Sequence, residues 1–135
     1  MEEHSLRVLE FDKVLARLAG HTSFSAGREL AQNLRPATTR DEVVRRQRLT
    51  AEARRLYELQ PRIGLGGVHD VRALADKAGR GGMLQASELL DIASTLDAAG
   101  TMRSTILRFR PDQKDPGRDE LPLLSELASE MEPLP

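Results

Sequence analysis

The chain has 135 residues, the size of one domain. Its 20 basic and 21 acidic residues leave a net charge of −1, unlike a strongly basic nucleic-acid binder, but the whole-chain charge decides nothing about partners. It has no Cys, so a disulfide framework, a zinc–thiolate site and a cysteine nucleophile are excluded as well. Leu (21) and Ala (15) far outnumber Val (6) and Ile (3), a ratio that favours helices over strands. The expected fold class is all-α, an irregular helical bundle of five or six helices forming a single domain over 1–135. The opening Met1-Glu2-Glu3-His4 lacks the basic and apolar regions of a signal peptide. No stretch approaches the ~20 apolar residues of a membrane span, so the expectation is a cytoplasmic protein with no membrane partner.

Phe11, Val14, Leu15 and Leu18 repeat at i, i+3, i+4, i+7 and predict a helix, with Leu6 and Leu9 as a short helical lead-in and Gly20 at its end. Ser23 is placed to cap a second helix, about Phe24 to Leu34, with Gly27, Leu30, Ala31 and Leu34 on one face. A glycine there costs about 1 kcal/mol relative to Ala, which close approach of a neighbouring helix would explain. Pro36 stops that run.

Thr39 and Glu42 form a T-x-x-E capping box at the start of a long helix, Arg40 to about Leu59, ended before Pro61. Its apolar face is thin: Val43, Gln47, Thr50 and Ala53, with Leu49 and Leu56 beside it. Arg62 to Val68 reads as a loop by its glycines. Asp70 can cap a short helix carrying Val71, Leu74, Ala75 and Ala78, closed by Gly79-Arg80-Gly81-Gly82.

The longest helix is expected from about Ala86 to Phe109, roughly 35 Å. Its stripe is Leu89, Ile92, Ala93, Leu96 and Ala99, and Gly100 marks a weak point or a close crossing. Residues 111–120 read as a flexible loop. The last helix, about Pro122 to Glu132, has Pro122 suited to its first turn and Leu124, Leu127, Ala128 and Met131 on its face. Followed only by Pro133-Leu134-Pro135, this apolar helix reads as cut from a longer chain.

Few residue constellations carry chemistry. Gly64-x-Gly66-Gly67 lacks the preceding strand and the Gly-Lys-Ser/Thr ending of a nucleotide loop, and reads as a helix–helix connector. The three His, at 4, 21 and 69, fall on separate elements with no metal-ligand spacing. The carboxylate pairs Asp41/Glu42 and Asp119/Glu120 are adjacent and do not face each other on a helix. No G-x-S-x-G elbow is present. Catalytic, cofactor-binding and metal residues are therefore expected to be none.

The strongest candidate is the third helix. From Arg40 to Arg62 there are seven Arg against Asp41, Glu42, Glu52 and Glu58, a local charge of +3. Arg45, Arg48, Arg55 and Arg62 are near enough in helical phase to share a side and grip nucleic-acid phosphates. The alternative is a solvated face with intrahelical pairs, Glu52 with Arg48 or Arg55. Of the 20 basic residues 17 are Arg, the better phosphate fork, although a biased genome gives the same excess.

The motifs fall in a recognisable order: Leu9-Glu10-Phe11-Asp12-Lys13-Val14, Gly27-Arg28-Glu29-Leu30, Leu34-Arg35-Pro36, Leu65-Gly66-Gly67-Val68-His69-Asp70-Val71-Arg72, Gly82-Met83-Leu84 and Glu88-Leu89-Leu90-Asp91-Ile92-Ala93-Ser94-Thr95-Leu96. Together they resemble the N-terminus of the second bacterial MutS family, the paralogue that lacks the mismatch-recognition domain. The resemblance covers almost the whole chain.

It implies a truncated piece of a MutS-type core/lever region. The full-length family protein continues into an ATPase using ATP and Mg, and usually into a C-terminal Smr endonuclease domain. It implies as partners the remaining domains of the parent chain, a homodimer of the parent, and branched DNA or the ribosome. The implied roles are suppression of recombination and rescue of stalled ribosomes. The segment itself is expected to hold no cofactor and to have no catalytic activity. Gln85-Ala86 departs from the Ser-Pro often found in the family, His69 replaces a basic residue, and the third helix is richer in Arg. A free-standing helical protein-interaction module is the alternative function.

Overall fold

A computed structural model describes residues 3–112 and 119–132. Among them are seven α-helices and no strand: α1 (Glu3–Val8), α2 (Phe11–Ala19), α3 (Ser25–Gln32), α4 (Arg40–Leu59), α5 (Arg72–Gly79), α6 (Ala86–Leu107) and α7 (Pro122–Glu130). The expected all-α class holds. The lead-in is a helix of its own because Glu10, at φ 51°, adopts a left-handed conformation that breaks α1 from α2. Of the span expected as a flexible loop, residues 113–118 lie outside the described residues. None of the described helices is long and apolar enough to cross a membrane.

The chain forms two compact units, Met1–Thr38 with Gly66–Thr95, and Thr39–Leu65 with Leu96–Pro135. In the first, α2 packs on α1 and α3, and Leu15, Ala19 and Ala31 are buried. The wider apolar faces are not covered: Val14 is 57% and Leu30 74% exposed. Helices of eight or nine residues have room for one or two inward turns only. Two expectations about α3 are corrected. Its N-cap is Phe24 and not Ser23, without a side-chain cap, and the Ser25 hydroxyl at its first position donates to Asp70 at 2.6 Å. A Cβ at Gly27 would meet Thr22 and Phe24, both 3.6 Å away on its own N-terminal side, so its nearest neighbours among the described residues are not those of another helix.

Side-chain bonds tie the rest of this unit together. Asp70 accepts from the Arg72 backbone N–H at 3.3 Å and from its guanidinium at 2.6 and 2.8 Å. Arg72 also pairs with Glu29 of α3 at 2.9 Å. These bonds, Arg72 first and Ser25 second, hold the Asp70 carboxyl well below its ordinary range. The same guanidinium is raised by its bonds to Asp70 and then Glu29.

Helix α5 ends in a Schellman motif. Gly81, at φ 79°, donates to Ala78, and Gly82 donates to Lys77 at 2.8 Å. The start of α6 is capped by Glu88, which accepts the Gln85 N–H at 2.7 Å and binds Lys77 Nζ at 2.9 and 3.0 Å. That backbone bond, then Lys77, lowers the Glu88 carboxyl. Glu88 thus supplies the N3 half of a capping box where the sequence lacks a capping hydroxyl.

The second unit has its own core. Leu56, Ile106, Leu121 and Ala128 are buried, with Ile63, Met102, Leu107, Phe109 and Leu124 packed on them. Helix α4 packs on α7. The expected inward stripe of α4 is corrected: Val43, Gln47 and Thr50 are exposed, whereas Leu56 is buried and Leu49 and Ala53 are half-buried. The leucines beside the expected stripe are thus the ones that turn inward. Gly100 has no atom within 4 Å of a Cβ built on it, so among the described residues no close crossing requires it.

Candidate nucleic-acid interface

The arginine helix α4 starts as its sequence dictates. Thr39 Oγ1 accepts the Glu42 N–H at 3.4 Å, and Asp41 and Glu42 place negative charge at the positive end of the helix dipole. The reciprocal half of the capping box does not form, because the Glu42 carboxylate pairs with Arg46 one turn on.

The seven arginines of 40–62 have different fates. Arg55 is held by carboxylates: Nη2 and Nε donate to Asp119 at 2.7 and 3.1 Å, and Nη1 to Glu58 at 2.9 Å. These bonds, Asp119 first, raise its pKa above the ordinary guanidinium value. Arg62 lies in the turn beyond Leu59, where its helical phase with the others no longer applies. Arg45 and Arg48 are exposed on α4, and among the described residues neither has a hydrogen-bond or ion-pair partner. The same is true of Arg40 and Arg54.

The intrahelical pairs considered for Glu52 do not form. Its carboxylate turns to α7 and accepts the backbone N–H of Leu123 at 3.2 Å and of Leu124 at 2.8 Å. Arg48 thereby lacks its i+4 partner. The structure gathers Arg45 and Arg48 with Arg40 around a depression of about 440 Å³ walled by Val44 and Leu123, with Asp41 the one carboxylate in its lining. Arg40 is counted in the arginine run by sequence but not among the four residues of the expected grip. Its signal was its place in the same arginine run.

The glycine segment after Arg62 is bound as a connector. Ser94 Oγ donates to the Gly67 carbonyl at 2.9 Å, and the His69 N–H donates to Thr95 Oγ1 at 3.0 Å. His4 is on α1, His21 follows α2, and His69 lies 3.9 Å from Asp91. Among the described residues no group of three or more His, Cys, Asp and Glu is placed to hold a metal.

Fold and site together define an all-helical segment with a cationic groove. No family model matches it. It is 46% identical to the Endonuclease MutS2 of Symbiobacterium thermophilum over 128 residues, 95% of this chain. It is 42% identical to the Endonuclease MutS2 of Bacillus mycoides over 92% of its length and to that of Bacillus cereus over 93%. The chain spans about 15% of the length of each of these relatives. The resemblance to the second MutS family therefore holds: nearly the whole chain is similar to a part of these MutS2 proteins.

Proposed function

We propose that this chain is the N-terminal core/lever segment of a MutS-like ATPase and endonuclease. It supplies rigid helices and a phosphate-facing surface, and no catalytic group of its own. The observation that carries this reading is the identity itself: it runs through more than nine-tenths of the chain while touching only about 15% of proteins named as endonucleases. Helix α6, with 22 residues, is suited to transmit movement as a lever.

In this reading ATP and Mg are held outside these residues. The glycine loop has no strand before it and no lysine ending, and its Gly67 carbonyl and His69 N–H are engaged with α6. The partners are the remaining domains of the parent, a second parent chain, and branched DNA or the ribosome. The cellular roles are suppression of recombination and rescue of stalled ribosomes in the cytoplasm. Nucleic-acid contact falls to the arginine helix at Arg45 and Arg48, because Arg55 is engaged by Asp119 and Glu58 and Arg62 lies in the turn beyond the helix.

The test is the reading frame beyond codon 135. A continuing frame that encodes G-x-x-x-x-G-K-[ST] supports the segment reading. A stop codon soon after Pro135 leaves a free-standing helical interaction module and overturns it.

A further inference from the structure

We infer that the depression between the N-terminal half of α4 and the first turn of α7 is a seat for a run of phosphodiesters, with Arg40, Arg45 and Arg48 as its phosphate ligands. This rests on the nucleic-acid reading above and narrows it to one site. Arg46 and Arg55 are neutralised by Glu42, Glu58 and Asp119. The three arginines that line the depression have no partner among the described residues.

That vacancy follows from the fold. The carboxylate best spaced to quench Arg48 is Glu52, and it is held by two backbone N–H groups of α7. The docking that brings Leu123 to the wall of the depression thus also removes the competing anion. The lining carries three guanidiniums against Asp41, a local charge of +2.

Arg40 to Arg48 spans about 12 Å of helix axis, at 1.5 Å per residue, which matches about three phosphates of one strand at 3.4 Å each. Guanidinium forks suit paired phosphate oxygens. The walls, Val44 and Leu123, offer no hydrogen bond to a base edge and no aromatic ring for stacking. The seat therefore reads backbone and not sequence.

The experiment measures binding of the 135-residue chain to fluorescent duplex DNA, branched DNA and duplex RNA by anisotropy across a salt series. The variants are the Arg40→Ala/Arg45→Ala/Arg48→Ala triple and an Arg54→Ala control. Arg54 is exposed, has no partner among the described residues, lies about 9 Å further along the axis and is outside the lining. Polyglutamate serves as competitor.

The expected result is at least a tenfold loss of affinity in the triple variant, with a salt slope shallower by about 2 to 3, and less than a twofold change in Arg54→Ala. Preference for DNA or for RNA supports the seat either way and identifies the source of the phosphates. A triple variant that binds like wild type, or an Arg54→Ala loss matching the per-arginine loss of the triple, overturns the seat and leaves the nucleic-acid reading standing. Displacement by polyglutamate at equal charge overturns the phosphodiester assignment. A wild-type chain that binds none of the three probes overturns both readings.

Discussion

The Glu52 carboxylate accepts the backbone N–H of Leu124 at 2.8 Å, so a side chain of one helix caps the start of another 72 residues on. Helix α7 needs this. Its N-cap is Leu121, which has no side chain to accept a hydrogen bond, and Pro122 at N1 removes only one of the orphan donors. A carboxylate there also complements the helix dipole. Glu52→Ala is expected to destabilise the second unit by about 1–3 kcal/mol, with Glu52→Gln losing less because one acceptor oxygen remains. Urea denaturation of the two variants measures this. Equal stability of Glu52→Ala and wild type would show that the cap contributes nothing.

The core of the same unit offers a test of sign. Ser125 is buried, and its Oγ has no hydrogen-bond partner among the described residues. Ser125→Ala removes an unsatisfied polar atom and improves helix propensity, so the variant is expected to be more stable by about 1 kcal/mol. Leu121, at 1% exposure in that core, is expected to cost about 2–5 kcal/mol on truncation to Ala. A raised thermal midpoint for the first and a strong fall for the second are the outcomes to look for. A destabilised Ser125→Ala would mean that the hydroxyl is satisfied in solution.

Two glycines are expected to respond in opposite directions. A Cβ on Gly82 would lie 2.8 Å from the Lys77 carbonyl oxygen, inside the Schellman turn that ends α5. Gly82→Ala is expected to destabilise by about 1–2 kcal/mol. Gly100 lies within α6 with open space around it, so Gly100→Ala is expected to stabilise by about 1 kcal/mol. Thermal melts of both variants decide the matter, and the same sign for both would contradict the structure.

Asp70 makes the first unit sensitive to acid. Arg72, then Ser25, depresses its folded-state pKa below the unfolded value of about 3.9. A depressed carboxylate contributes stability that is fully present above the unfolded pKa and is lost as pH falls toward the folded one. The stability gap between wild type and Asp70→Asn is therefore expected to be constant near neutrality and to shrink progressively below about pH 4. Chemical denaturation of both proteins between pH 7 and 3 checks this. A gap that widens on acidification would reverse the assigned sign.

Much of the helical framework was legible because local chemistry sets it. Thr39 opens α4, Pro122 opens α7, and Gly81-Gly82 closes α5, each within a residue or two of the expected place. The inward faces were less legible. Leu89 and Leu90 are adjacent in sequence and both exposed, so a leucine-rich helix of this kind does not single out one stripe. In the candidate site, the exposure of Arg45 and Arg48 followed from charge and phase. The capture of Arg55 by Asp119, 64 residues away, and the diversion of Glu52 to α7 depend on long-range packing that no spacing rule records.

The phosphate seat is tested most directly by following the arginine side-chain Nε–Hε signals of the labelled chain by nuclear magnetic resonance during titration with duplex DNA. The expected result is that Arg40, Arg45 and Arg48 shift together and saturate with one affinity, while Arg54 and Arg55 stay in place. Shifts confined to other arginines, or spread evenly over all of them, would contradict a built seat on α4.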